Sequence, residues 1–264
     1  MVTMKVVSVI NLKGGVAKTT TVQNMAYALY HYEGKRVLVI DNDKQGNLSK
    51  AFGVYDPEDI FTTADLMVAR ELLPSVIHRT AYAGIDIIPA NMRLLQANMQ
   101  VMLDVVRQQQ DRMEDAFEQL ELASKYDYVL IDNAPDINIS IINALRATDD
   151  IIIPVQMDEY SFDGINILLG QIRQIQKDLK RIGHKIPGLS GILCTYYQKD
   201  EISAQAFQEL EKSGLPVFKQ VIRFTKSKPK EAISEKKPLL EHSVRCGASQ
   251  DYKKWVEEYL TQIG

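Results

Sequence analysis

Cysteine is scarce in this sequence: two residues in 264, Cys194 and Cys246, far apart and each without a neighbouring metal-ligand pattern. That excludes a disulfide framework or a thiol-built metal cluster, and it fits a reducing compartment. Long apolar runs are missing too. Nothing approaches the ~18–20 residues that span a bilayer, and Met1–Ile10 passes straight into an apolar stretch with no signal-peptide pattern ahead of it. Excess positive charge is lacking: 31 Lys and Arg stand against 34 Asp and Glu, a net charge of −3. This argues against a uniformly basic coat for nucleic acid, while a local basic patch remains compatible with it. No internal repeat or low-complexity linker divides the chain, so one domain over residues 1–264 in the cytoplasm is expected.

What is present is an ordinary globular composition, 45% hydrophobic and 25% charged, in which short apolar runs alternate with helical patterns. Strands are expected at Val6–Asn11, Arg36–Asp41, Ile85–Pro89, Tyr128–Asp132, Ile151–Gln156, Leu189–Thr195 and Val217–Ile222. Helices are expected at Thr19–Tyr32, Met92–Leu122, Asn138–Ala147, Ser161–Ile182, Ser203–Ser213 and Gln250–Ile263. Strands that are apolar on both faces and separated by helices predict an α/β fold: a single, doubly wound, mostly parallel sheet covered on both sides. Ligands then bind at the carboxyl ends of the strands.

Between the first strand and the first helix lies Lys13-Gly14-Gly15-Val16-Ala17-Lys18-Thr19-Thr20. Glycines there let backbone N–H groups turn onto phosphate oxygens, and the helix amino terminus adds its positive end. Lys18 is placed to reach the β- and γ-phosphates and the Thr19 hydroxyl to ligate Mg²⁺. The ordinary Gly-x-x-x-x-Gly-Lys-Ser/Thr pattern is not met, because Leu12 and Ala17 stand where it has glycines. The deviant form Lys-Gly-Gly-x-x-Lys-Thr is met, with a second lysine at Lys13. Ala17 is strained by ~1 kcal/mol if its φ is positive.

In these residues the chain resembles the ParA/MinD family of deviant phosphate-loop ATPases, specifically small ParA/Soj-type partition proteins without an amino-terminal DNA-binding domain. The resemblance implies ATP and Mg²⁺ as ligands. It also implies an ATP-dependent homodimer in which Lys13 reaches the phosphates bound by the other subunit, comparable in role to an arginine finger. Asp41-Asn42-Asp43-Lys44-Gln45-Gly46-Asn47 is similar to the family's Asp-x-Asp-Pro-Gln-Gly-Asn, with Lys44 in place of proline. By that match Asp43 orients or activates the attacking water and Asp41 supports the metal shell. Tyr128–Asp132 resembles the family's second acidic strand, with Asp132 holding Mg²⁺ through water. Asn133 receives no catalytic role. The stretches Ile141–Leu145, Ile151–Gln156 and Glu159–Gly164 are similar to ParA as well.

The branch of the family is read from the rest of the chain. Its cysteines do not supply the cluster ligands of the nitrogenase iron protein. Arg223, Lys226, Lys228 and Lys230, then Glu231-Ala232 and Lys237-Pro238, resemble the basic carboxyl-terminal segment of ParA with the register slipped by about one residue. With Arg245 they form a candidate surface for nonspecific DNA. The implied protein is a nucleoid-associated partition ATPase, slow without its partner. It binds DNA as the ATP dimer and is released when a ParB-like DNA-bound protein stimulates hydrolysis. Any sequence-specific DNA recognition then comes from that partner. The alternatives are a MinD-like membrane-positioning ATPase, anchored by Gln250–Gly264, and a nucleotide-binding regulator with little turnover. The mixed charges of that last segment favour a helix docked on the sheet, with no membrane contact.

Overall fold

The computed structural model describes residues 4–157 and 161–263. Glu159 and Tyr160 of the ParA-like stretch Glu159–Gly164 lie outside them. The strands are β1 (Lys5–Val9), β2 (Val37–Asn42), β3 (His78–Arg79), β4 (Ile85–Ile88), β5 (Tyr128–Asn133), β6 (Asp150–Gln156) and β7 (Gly188–Thr195). The helices in the first half are α1 (Lys18–His31), α2 (Asn47–Ala51), α3 (Thr63–Val68), α4 (Arg93–Leu103), α5 (Arg112–Gln119) and α6 (Leu122–Lys125). In the second half they are α7 (Ile139–Arg146), α8 (Ser161–Arg181), α9 (Glu201–Lys212), α10 (Lys228–Ser234), α11 (Leu239–His242) and α12 (Gly247–Ile263).

The strands of the described residues form one sheet in the order β3-β4-β2-β5-β1-β6-β7. Every pairing is parallel except that of β3 with β4 at one edge. Alternate residues of the central strands face opposite layers. Val7, Val9, Val37, Val39 and Leu130 pack toward α1 and α12. Val6, Leu38, Ile40, Val129 and Ile131 pack toward the layer holding α3, α4 and α5. Both faces are therefore dry, which is why these strands read as continuous apolar runs rather than alternating ones.

Two expected elements differ. The helix expected over Met92–Leu122 is broken. The Asp104 carboxylate accepts the amides of Val106 and Arg107 and pairs with Arg112 at 2.7 Å, a local turn that competes with the helix before two β-branched valines. Nor does Val217–Ile222 form a strand. The chain follows β7 through bonds such as Phe218 N–H to the Ile192 carbonyl, with isolated bridges at Val217 and Arg223. The amides of Lys219 and Gln220 are donated instead to the Glu258 carboxylate on α12, at 2.8 and 2.9 Å.

That anchoring matches the burial of α12. Tyr252, Trp255, Val256 and Tyr259 are all in the core, so the apolar face of the last helix is occupied by the sheet and α1. Trp255 meets Phe218 edge to face at 5.7 Å and Tyr252 at 6.2 Å. Its indole N–H is buried without a hydrogen-bond partner among the described residues. Trp255→Ala should therefore destabilise the fold by about 3–5 kcal/mol in urea titrations followed by circular dichroism. Trp255→Phe, which removes the unmet donor, should cost less than about 1.5 kcal/mol.

Candidate active site

The carboxyl ends of β1, β2 and β5 converge on one cleft of about 510 Å³, lined by Gly14, Gly15, Lys18, Thr19, Asp43 and Asn133 among others. Its floor is the loop that leaves β1. Asn11 donates its side-chain amide to the Pro154 carbonyl at 2.7 Å and accepts the Lys13 amide at 2.9 Å, which fixes where the loop begins. Gly15 has φ 76°, and nothing stands within 4 Å of where a β-carbon would sit on Gly14 or Gly15. The inner surface of the loop is thus bare backbone. Ala17 has φ 66° and ψ 26°, the left-handed conformation that alanine tolerates poorly. Its carbonyl starts α1 by accepting the Thr21 amide at 2.8 Å. Thr195 clamps the loop from β7 through a hydroxyl bond of 3.2 Å to the Val16 carbonyl.

Lys18 is buried, and its ammonium group folds back on the carbonyls of Asn11 and Lys13, both at 3.0 Å. Burial lowers its pKa, opposed by the charges of Asp132, Asp43 and Asp136. Val16 is buried beneath the loop, Lys13 is exposed at its edge, and Thr20 faces the cleft. The second acidic strand end meets the loop directly. Thr19 donates its hydroxyl to Asp132 Oδ2 at 2.6 Å, while Asp132 Oδ1 is buried with no partner among the described residues. Asp41, the register neighbour of Asp132 across β2 and β5, is fully enclosed. Ser49 gives Asp41 both its amide and its hydroxyl, at 2.8 and 2.6 Å, and the Asp43 amide reaches the other oxygen at 3.2 Å.

The predicted residues of the loop and the acidic strand ends therefore come together, but with different access. Asp43 lines the cleft, Asp132 keeps one unmet oxygen beside the Thr19 hydroxyl, and Asp41 is saturated by protein donors. A buried, unmet carboxylate oxygen whose twin accepts the hydroxyl in the first turn of α1 fits an ion of the magnesium type. Such an ion takes one or two protein oxygens and completes its shell with water and phosphate. Among the described residues no cluster of three or more acidic, histidine or cysteine ligands exists. A stand-alone metal centre is thus not what these groups form.

Sequence reading missed the supports. Ser49 holds Asp41, Thr63 donates to the Asp41 carbonyl at 2.7 Å, and Asn42 donates to Asn133 at 2.9 Å across the two strand ends. Asn133 in turn donates to the Val9 carbonyl, so it ties three strands together. Ser49 and Thr63 carry no local motif, and Asn42 and Asn133 lie within or beside motifs that do not mark them as supports.

The basic segment is not one uniform surface. Arg223 closes its guanidinium fork on Asp251 of α12, at 2.7 and 2.8 Å, and also donates its backbone amide to that carboxylate. The arginine therefore fastens the segment to α12. Lys228 pairs with Glu231 at 2.7 Å. Lys226, Lys230 and Arg245 are exposed, the first two on the rim of a second cleft of about 560 Å³.

Burial pushes both strand-end carboxyls upward, Asp41 to about 7 and Asp132 to about 8, with their mutual repulsion adding to the rise at Asp132. A carboxyl raised in the folded state binds more protons folded than unfolded. Its contribution to stability is complete below the unfolded value near 3.8 and is lost as pH rises through the folded value. The metal-free protein should accordingly lose stability between about pH 4 and pH 8, and Asp132→Asn should flatten that slope in parallel thermal melts.

Comparisons with known proteins converge on this loop and fold. The AAA domain model matches residues 4–183. The chromosome partitioning protein ParA of Caulobacter vibrioides is 31% identical over 261 residues, covering 98% of this chain and 95% of that protein. The sporulation initiation inhibitor protein Soj of Bacillus subtilis is 32% identical over 250 residues, covering 94% and 95%. The cobyrinic acid a,c-diamide synthase of Mycobacterium smegmatis, solved with a bound ATP analogue and magnesium, is 30% identical. It superposes with a TM-score of 0.74 over 88% of this chain and 92% of that one. With its deviant phosphate loop between β1 and α1, the chain belongs to the ParA/MinD family of AAA-domain ATPases, alongside ParA and Soj.

Proposed function

We propose that this protein is a ParA-type partition ATPase whose nucleotide state decides whether it holds nonspecific DNA. The observation that carries the reading is the Thr19 hydroxyl bonded to Asp132, with the second Asp132 oxygen unmet, at the mouth of the bare-backbone loop. Thr19 and, through water, Asp132 would hold magnesium, which supplies charge neutralisation on the phosphates when bound. Lys18 exchanges its two carbonyl acceptors for phosphate oxygens. Asp43, on the cleft wall, orients the attacking water. Asp41 acts one step back, holding the Asp43 amide in place. The second cleft adjoins the first through Ala17, Thr20, Tyr196 and Ile233. Its walls include Tyr196 and Phe224, which meet edge to face at 6.3 Å, and these suit the nucleotide base.

Lys13 at the exposed edge of the loop supports a two-subunit arrangement in which each copy completes the other's phosphate site. ATP then favours the dimer by as much as it binds it better than the monomer. Lys226, Lys228, Lys230 and Arg245 provide the basic surface for DNA. A ParB-like DNA-bound partner stimulates hydrolysis and returns the protein to its free form.

Lys18→Ala should abolish ATP binding in calorimetry while the circular dichroism spectrum is kept; retained affinity would remove the loop from the reading. Asp43→Ala should bind ATP yet release no phosphate, and normal turnover in that variant would sink its assignment. DNA retention by the full chain should require ATP and fall steeply with salt, since phosphate contacts release counterions. Neutralising Lys228 and Arg245 together, which line neither cleft, should shallow that salt slope and leave ATP affinity unchanged. Indifference of DNA binding to nucleotide would overturn the switch.

A further inference from the structure

Four non-glycine residues among those described have positive φ: Ala17, Glu121, Tyr196 and Lys236. Three of them, Ala17, Tyr196 and Lys236, line the same cleft. Strain of this kind persists where the surroundings enforce it, and it gathers at functional sites. For Ala17 the enforcing element is the phosphate loop. Lys236 needs its own account.

Lys236 sits just past α10 with φ 55°. Its amide bonds to the Ile233 carbonyl at 3.1 Å, and the Lys237 amide bonds to the Ala232 carbonyl at 3.0 Å. This is the paired closure of a helix carboxyl terminus, whose left-handed position usually belongs to glycine. A lysine there is a poor local choice, so its side chain has to be what matters. Its stem runs over Gly53, with Cδ 3.1 Å from where a β-carbon of that residue would sit, and lack of a side chain at Gly53 leaves the passage open. Its Nζ lies 3.9 Å from the same point, and Lys236 also lines the cleft that holds Gly14, Gly15, Lys18 and Thr19.

Several lysines around it are engaged, while Lys226 and Lys230 line the adjoining cleft. Lys50 donates to the Gln45 carbonyl at 2.6 Å and stands over the Tyr55 ring, Lys237 pairs with Glu235, and Lys228 with Glu231. The Lys236 ammonium group has no hydrogen bond or ion pair with any described residue. A strained backbone thus holds a solvent-exposed cation, without a protein partner among the described residues, in the wall of a cleft floored by anion-binding backbone.

We propose that Lys236 is a nucleotide-binding residue, its ammonium group meeting the phosphates of a nucleotide seated on the Gly14–Thr19 loop. This rests on the nucleotide reading above and adds a contact from the carboxyl-terminal segment. A charge-assisted contact of this kind is worth about tenfold in affinity.

The test is calorimetric titration of the full chain with ATP and Mg²⁺, paired with thermal unfolding without nucleotide, for wild type, Lys236→Gly, Lys236→Gln and Lys236→Arg. Glycine and glutamine should each weaken ATP binding about tenfold, with the difference shrinking at high salt, and arginine should keep most of the affinity. Lys236→Gly should unfold at the same temperature as wild type or higher, because it relieves the left-handed β-carbon. Equal affinity in wild type and the glycine and glutamine variants overturns this inference alone. So does an equal loss in the arginine variant, or a loss that tracks a lowered unfolding temperature. A wild-type chain that binds no ATP overturns the nucleotide reading and this inference together.

Discussion

Two carboxylates buried side by side are the constraint around which this molecule is arranged. Asp41 and Asp132 are register partners on adjacent strands, and both are shut off from water. Enclosing like charges in contact is costly unless each finds donors or a cation. Asp41 is settled by Ser49 at the start of α2 and by the amide of Asp43, which fixes where the chain turns after β2. Asp132 is settled only in part, by Thr19 in the first turn of α1. The unmet oxygen is therefore a demand built into the strand ends, and the phosphate loop lies where a cation answering that demand also meets an anion.

How much of this could be read in the sequence follows from how far each determinant lies along the chain. The phosphate loop was legible because its requirements are local: residues able to expose backbone, a lysine and a hydroxyl, bracketed by an apolar run and a helix. The acidic strand ends were legible for the same reason. The sheet was legible because strands dry on both faces cannot tolerate polar alternation. By contrast, Arg223 reads locally as one more cation in a basic run, and only Asp251, on another element, shows that it is a fastener. Val217–Ile222 reads as a strand because nothing nearby reveals that Glu258 takes two of its amides. The break at Asp104 was overridden by good helix formers on either side, although its carboxylate was visible. Ser49 and Thr63 are ordinary hydroxyls until the fold brings them to Asp41.

The clefts also explain why the carboxyl-terminal third belongs to the site rather than merely covering the sheet. α10 is only seven residues long. It gives Ile233 and Ser234 to the phosphate cleft and Pro229 and Lys230 to the adjoining one. The same helix carries Lys228 on its exposed side.

The position of β1 in the sheet has a consequence for how the chain is made. β1 is written first, yet it lies between β5 and β6, with Lys5 paired to Tyr128 and Val7 to Asp150. At synthesis rates of roughly 5–20 residues per second, its first neighbour emerges on the order of ten seconds later. Throughout that interval the apolar run Val6–Ile10 has no strand to pair with, and the loop that follows it has no second wall. The phosphate cradle can thus be seated only once Asp132, 113 positions after Thr19, has been made.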